Sequence, residues 1–92
     1  MKILQTPTFQ RKYKKLTKGD LAVVNEALRE ITKNRDVGVL KSGDLGSIRV
    51  HKKRKGRQEF LIAYWNVKDV LELIDLGSHE NFYRDLKKRL RH

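Results

Sequence analysis

The sequence predicts an α+β domain in which two N-terminal helices pack on a small, mostly antiparallel, four-stranded sheet, with a further helix at the C-terminus. Two observations predict this class. Apolar residues recur at helical spacing in the first third of the chain, and the pattern changes to a period of two at Ile48. The predicted order is strand, two helices, three strands and helix. This order favours helices on one face of the sheet and a second face that is partly open.

The length of 92 residues indicates one domain, residues 1–92, because domains usually hold about 50 to 200 residues. Cysteine is absent, which excludes disulfide bonds and thiolate catalysis. No apolar run is long enough for a signal peptide or a transmembrane helix. We therefore expect a cytoplasmic protein without a membrane partner.

The N-terminal elements follow from capping residues and spacing. Residues 3–6 suit one short strand, and Thr6 followed by Pro7 is typical of a helix start. The apolar stripe of this first helix consists of Phe9, Tyr13 and Leu16. Lys18-Gly19-Asp20 then predicts a break, in which Gly19 suits the helix end and Asp20 caps the next helix.

The second helix is predicted from apolar residues at helical spacing and should end near Lys33 or Asn34. Those residues are Leu21, Val24, Ala27, Leu28 and Ile31. Residues 35–47 show no period and include three of the six glycines, so we expect a loop that returns the chain to the sheet.

The first strand of the C-terminal half alternates strictly. Ile48 and Val50 face one way and are predicted core residues. The opposite face carries, by the same parity, Arg49, His51 and Lys53. A turn follows, in which Gly56 can supply the positive φ of a hairpin.

Two more apolar segments, Glu59 to Asn66 and Val70 to Leu76, are rich in β-branched and aromatic residues and predict a second hairpin that shares its central strand with the first. Ser78 can then cap the last helix. The apolar stripe of that helix recurs every four residues, at Phe82, Leu86 and Leu90.

Charge points to a polyanionic partner. Lys and Arg number 22 against 11 acidic residues, which gives a net charge of +11. Nucleic acid is the commonest partner of such a domain, because each neutralised phosphate releases counterions. There are two alternatives to nucleic acid. The partner is an acidic protein, or the positive charge only keeps the chain in solution.

Short motifs make the chain resemble the RelE/ParE superfamily of toxin-antitoxin toxins over nearly its full length. The Gly-Thr-His-x-x-x-Phe segment of YafQ-like members is similar to the stretch Asp75-Leu76-Gly77-Ser78-His79-Glu80-Asn81-Phe82-Tyr83. Their central strand is similar to Glu59-Phe60-Leu61-Ile62-Ala63-Tyr64. The resemblance implies a RelE-like fold. Many relatives are endoribonucleases that cut messenger RNA in the ribosomal A site, whereas the ParE branch poisons DNA gyrase, and a fold alone does not choose between them.

His79 is the leading candidate for an acid-base group, because the ordinary pKa of a histidine side chain is about 6.5 and His79 stands between the last strand and the last helix. The resemblance places the catalytic His of the family there too. Helix capping is the alternative role. Tyr83, four residues later, can position the scissile phosphate or stack on a base, or it can simply pack in the core.

Further candidates come from the strands and the hairpin. Arg49 is predicted to hold a phosphate and His51 to act as the second acid-base group, unless both lie on a solvated face. Glu59 stands where YafQ-like toxins have an Asp, and a salt bridge is its alternative role. The five cations expected to grip the RNA backbone are Lys52, Lys53, Arg54, Lys55 and Arg57.

The sequence therefore predicts a ribosome-dependent mRNA endoribonuclease that inhibits translation by metal-free attack of the 2′-OH on the adjacent phosphate. We expect no cofactor and no metal, since no ligand pattern is present. The resemblance implies a cognate antitoxin as partner, besides mRNA and rRNA, and contact with operator DNA only through that antitoxin. The alternatives are a ParE-like gyrase poison without chemistry and an inert nucleic-acid binder.

Overall fold

The computed structural model of the protein describes residues 1–41, 48–78, 82, 83, 86 and 88. The elements are β1 (Lys2–Gln5), α1 (Pro7–Lys14), α2 (Lys18–Lys33), β2 (Val39–Leu40), β3 (Arg49–Lys55), β4 (Gln58–Val67) and β5 (Val70–Ser78). The strands form one sheet in the order β1-β5-β4-β3-β2, in which β1 runs parallel to β5 and the other pairs are antiparallel. None of the helices within the described residues has the length and apolarity needed to cross a membrane.

The helix starts are set by two threonine caps. Thr6 caps α1, with its side chain accepting a hydrogen bond from the Phe9 N–H at 3.1 Å, as predicted. The prediction that Asp20 caps α2 is wrong. Thr17 is the cap, and its hydroxyl accepts from the Asp20 N–H at 3.2 Å, so Gly19 lies inside the first turn. Threonine is a favoured N-cap and an acidic residue in the first turn interacts well with the helix dipole, so Thr17 and Asp20 together start α2 in spite of Gly19.

The prediction of four strands is also wrong, because the sheet has five among the described residues. Val39 and Leu40, which we assigned to a loop, pair with Val50 and Arg49 of β3 as a short edge strand. Two residues are too few to show a period in the sequence, so only the pairing reveals this strand.

Both faces of the sheet are buried. The face that we call the α2 face packs under the two helices and contributes Phe60, Ile62 and Tyr64 from β4. The opposite face, called the Phe82 face, contributes Leu61 and Ala63 from β4. A continuous apolar run along a central strand is typical of burial on both sides.

The predicted C-terminal helix is described at four helical residues, Phe82, Tyr83, Leu86 and Lys88. Phe82 and Leu86 are buried against the Phe82 face. The expectation that all helices share one face is therefore wrong, because the apolar side chains of Leu61, Ala63 and Ile74 on the second face also require a cover.

The connection from α2 to β2 is fixed by a buried hydroxyl. Tyr64 is fully buried, and its hydroxyl accepts from the Gly38 N–H at 2.9 Å and donates to the Arg35 carbonyl at 2.7 Å. A Cβ atom on Gly38 would lie only 2.8 Å from this hydroxyl. The close approach therefore requires glycine, and it sets where β2 joins β3.

Candidate functional site

The alternation of β3 places His51 and Lys53 opposite the Ile48 and Val50 set, as the parity predicted, and both side chains lie on the α2 face beneath α2. His51 Nε2 lies 2.8 Å from Oε1 of Glu30, and Lys53 Nζ lies 2.8 Å from Oε2 of the same carboxylate. Hydrogen bonds from Lys53 and then His51 hold the pKa of Glu30 below its ordinary value, and the bond to Glu30 raises the pKa of Lys53. Both side chains are thus engaged by the helix.

Arg49 lies on the same face and is bound to the chain that leaves α2. Its Nη1 donates to the Gly38 carbonyl at 2.8 Å and to the Asp36 carbonyl at 3.2 Å. Its Nη2 lies 3.5 Å from the Asp36 carboxylate. These bonds use the planar fork of the guanidinium to hold a loop, so that a phosphate would compete with them.

The other set of β3 side chains points to the Phe82 face, where Val50 is buried and the following cations are open to solvent. Lys52 lies opposite Leu61, Arg54 lies opposite Glu59, and both cations are exposed. Arg54 Nη2 is 3.8 Å from Oε2 of Glu59, whose side chain is only 21% exposed. A partly shielded carboxylate beside the exposed Arg54 can act as a proton acceptor next to a cation that can hold a phosphate.

The turn of the β3–β4 hairpin extends this cationic surface. Lys55 and Arg57 are exposed on either side of Gly56, whose φ of 61° lies in the left-handed region. Gly56 has the positive φ that the sequence predicts. The exposed residues that we call the hairpin cations are Lys52, Arg54, Lys55 and Arg57.

Tyr83 lies on the Phe82 face and is partly buried there. Lys41 Nζ lies 5.1 Å from the centre of its ring, and the Phe82 ring meets it edge-on with centroids 5.5 Å apart. The Tyr83 hydroxyl is buried and has no hydrogen-bond partner among the described residues. Sequence reasoning missed Lys41, because it lies in a segment without period, 42 positions from Tyr83 along the chain.

The end of β5 carries the motif Asp75-Leu76-Gly77-Ser78. Asp75 is fully buried, and its Oδ1 accepts from Lys12 Nζ and from the Leu76 N–H, each at 2.8 Å. Gly77 lies under the Phe82 ring, where a Cβ atom would approach Cδ1 to 3.1 Å. His79, the leading acid-base candidate, lies outside the described residues.

The predicted residues thus fall into two groups on opposite faces. Lys52, Arg54, Glu59 and Tyr83 share the Phe82 face, whereas His51, Lys53 and Arg49 are bound beneath α2 or to its connection. No metal-binding group of three or more His, Asp or Glu residues occurs in the part of the chain that the structure describes.

Comparisons with known proteins agree with this architecture. No curated protein matches the sequence. One chain of the crystal structure of the intact E. coli RelBE toxin-antitoxin complex has the same fold, with a TM-score of 0.70 and 15% identity over 86% of this chain and 96% of that chain. A family model described as ParE-like toxin of type II bacterial toxin-antitoxin system matches residues 3–87. The chain therefore belongs to the ParE-like toxins of type II toxin-antitoxin systems, within the RelE/ParE superfamily.

Proposed function

We propose that this toxin is a ribosome-dependent mRNA endoribonuclease that inhibits translation. The observation that carries the proposal is the grouping of Lys52, Arg54 and Glu59 at one end of the Phe82 face, with the buried Tyr83 hydroxyl on the same face. Metal-free RNA cleavage uses cations that stabilise the charge of the phosphorane and groups that exchange protons with the ribose oxygens, and Lys52, Arg54 and Glu59 are side chains of these types.

The proposed reaction is a displacement at phosphorus without a metal ion. The ribose O2′ attacks the adjacent phosphorus, the bond from phosphorus to O5′ breaks, and the products are a 2′,3′-cyclic phosphate and a 5′-hydroxyl. One group takes the proton from O2′ and a second gives a proton to O5′. We assign these acid-base roles to His79 and Glu59. Lys52 and Arg54 would stabilise the negative charge of the phosphorane, and Tyr83 would orient the phosphate.

The rest of the hairpin supplies affinity rather than chemistry. Lys55 and Arg57 are exposed and contact no acidic side chain in the described part of the chain, so they are free to follow an RNA backbone in mRNA or rRNA. A cognate antitoxin would silence the toxin by covering these cations, and through it the complex would reach operator DNA.

A ParE-like gyrase poison is the second candidate. Two observations favour it: the matching family model carries the ParE name, and the internal contacts of His51, Lys53 and Arg49 leave fewer groups for catalysis. In that case the hairpin cations would serve a protein or DNA contact without chemistry.

Induced expression with mapping of mRNA 5′ ends separates the candidates. Wild-type toxin should arrest growth and produce new mRNA ends, and His79→Ala should abolish both. Lys52→Ala should weaken cleavage by about 10 to 100-fold, whereas Lys33→Ala, an exposed lysine at the end of α2, should cleave as wild type does. Growth arrest without new ends, accompanied by loss of DNA supercoiling activity, would identify gyrase as the target instead.

A further inference from the structure

A cleft of about 390 Å³ opens where the α1–α2 turn meets the start of β4 and the end of β5. It is separate from the hairpin cations and belongs to none of the roles assigned above. Lys12 of α1, Lys15 at the C-cap of α1 and Asp20 of α2 lie along it, with Leu16 between the two helices. Its volume is at the lower end of the range of about 300 to 1,000 Å³ that is usual for ligand sites.

The floor of the cleft is apolar. Phe60, Leu76 and Phe82 line it, and they are only 6%, 1% and 4% exposed. Little of either ring is therefore exposed to a ligand. A nucleobase needs a free aromatic face for stacking, so this floor suits a compact aliphatic side chain better than a base.

The rim of the cleft is charged, and Lys15 is its exposed cation. Lys12 also lines the cleft, but its Nζ is already 2.8 Å from the buried Asp75 carboxylate. Lys15 at the C-terminal end of α1 is exposed and contacts no acidic side chain among the described residues. A ligand that places an aliphatic group on the floor and a carboxylate near Lys15 would satisfy both parts of the site.

We infer that this cleft is a docking site for the cognate antitoxin, and that it receives an aliphatic side chain of the antitoxin flanked by an acidic residue that pairs with Lys15. The inference rests on the antitoxin partner named above and does not depend on whether the toxin cleaves RNA. A second copy of this chain is a poor occupant, because two chains that each carry a net charge of +11 repel one another.

The test compares two neighbouring lysines at the C-terminal end of α1 in binding to purified antitoxin. Lys15 lines the cleft, whereas Lys14 is exposed and does not. Both Lys15→Glu and Lys14→Glu change the net charge equally, so long-range attraction falls equally in the two variants. We expect Lys15→Glu to weaken the antitoxin complex about tenfold at low salt and Lys14→Glu to change it less than about threefold.

A second variant tests the apolar floor rather than the charge. Ser78 lines the cleft and is exposed, so Ser78→Phe should fill the cleft without disturbing a buried side chain and should also weaken antitoxin binding. The same variants are titrated with an oligoribonucleotide of mixed sequence. If Lys15→Glu reduces RNA affinity more than Lys14→Glu does and leaves antitoxin affinity intact, the cleft is an RNA site and the inference fails. Equal antitoxin affinity in both lysine variants would also overturn it.

Growth arrest by the toxin without antitoxin distinguishes failure of this inference from failure of the proposed function. We expect Lys15→Glu and Lys14→Glu to arrest growth as wild type does, because neither lysine lies among the proposed catalytic residues. Antitoxin binding is measured on purified proteins and needs no assumption about the target of the toxin.

Discussion

His51 of β3 and Glu30 of α2 lie 2.8 Å apart, measured from Nε2 to Oε1, and so join the sheet to the helix that covers it. The second oxygen of the same carboxylate lies 2.8 Å from Lys53 Nζ. Oε1 of Glu26 is farther from Lys53 Nζ, at 3.5 Å. One carboxylate thus holds His51, which the sequence offered as an acid-base group, and Lys53, which it offered as an RNA-binding cation.

Replacing Glu30 by Gln should lower the free energy of unfolding by about 1 kcal/mol at pH 7, since the carboxylate is partly exposed and solvent screens its bonds. The pKa of Glu30 in the folded protein lies below its ordinary value of 4.5, because Lys53 and then His51 donate to it. The carboxylate therefore stabilises the fold above about pH 4.5, and this contribution disappears as the pH falls below that value.

Urea unfolding of wild type and Glu30→Gln at pH 7 and near pH 3 measures this effect. The difference between the two proteins should shrink on acidification. Glu26→Gln is the matched control, because Glu26 is more exposed and farther from Lys53, and it should cost less than Glu30→Gln at pH 7. A difference that is independent of pH would show that the charge of Glu30 is not what stabilises the fold.

The position of His51 also predicts its effect on toxicity. Its side chain is only 14% exposed and lies beneath α2, away from Lys52 and Glu59. The acid-base role of His51 stays a prediction from the sequence. From the geometry we expect His51→Gln to keep growth arrest within about twofold of wild type, measured at equal amounts of soluble toxin. Loss of arrest in a folded His51→Gln variant would restore the catalytic assignment.

Most of the fold followed from local patterns. The period of two from Ile48 predicted the faces of β3 correctly, and Thr6-Pro7 predicted the start of α1. The two-residue strand β2 was missed, because it has no period of its own and depends on pairing with Val50 and Arg49.

The site was harder to predict than the fold. The alternation of β3 predicted on which face of the sheet His51 lies, but not that Glu30 would contact it. Glu30 is 21 residues away in the sequence and reaches His51 only because α2 crosses the sheet. Tyr83 and Lys41 are likewise far apart in the sequence, and they come into contact only in the folded protein. Contacts between distant segments decide which polar side chains are available for chemistry, and a single sequence does not record them.

Two glycines should respond oppositely to alanine. A Cβ atom on Gly38 would lie 2.8 Å from the Tyr64 hydroxyl and 3.1 Å from the Val50 carbonyl carbon, and both neighbours are buried. We expect Gly38→Ala to lower the free energy of unfolding by about 2 to 3 kcal/mol.

Gly19 serves as the control for Gly38, because it lies in the first turn of α2 with no atom within 4 Å of an added Cβ. Gly19→Ala should raise the free energy of unfolding by about 0.5 kcal/mol, since alanine favours helix and restricts the unfolded chain. Thermal unfolding of both variants checks the pair. Equal effects on the midpoint would mean that the Gly38–Tyr64 contact does not constrain the α2–β2 connection.

Tyr83→Phe should separate stability from activity. The buried Tyr83 hydroxyl has no hydrogen-bond partner among the described residues, so burying it costs about 1 to 3 kcal/mol that phenylalanine does not incur. The variant should therefore unfold at the same denaturant concentration as wild type or at a higher one. If the hydroxyl orients the scissile phosphate, mRNA cleavage should nevertheless fall by about 100-fold. A stable Tyr83→Phe variant that cleaves mRNA normally would leave Tyr83 as a packing residue beneath Lys41. Full growth arrest without mRNA cleavage in both wild type and Tyr83→Phe would favour gyrase as the target.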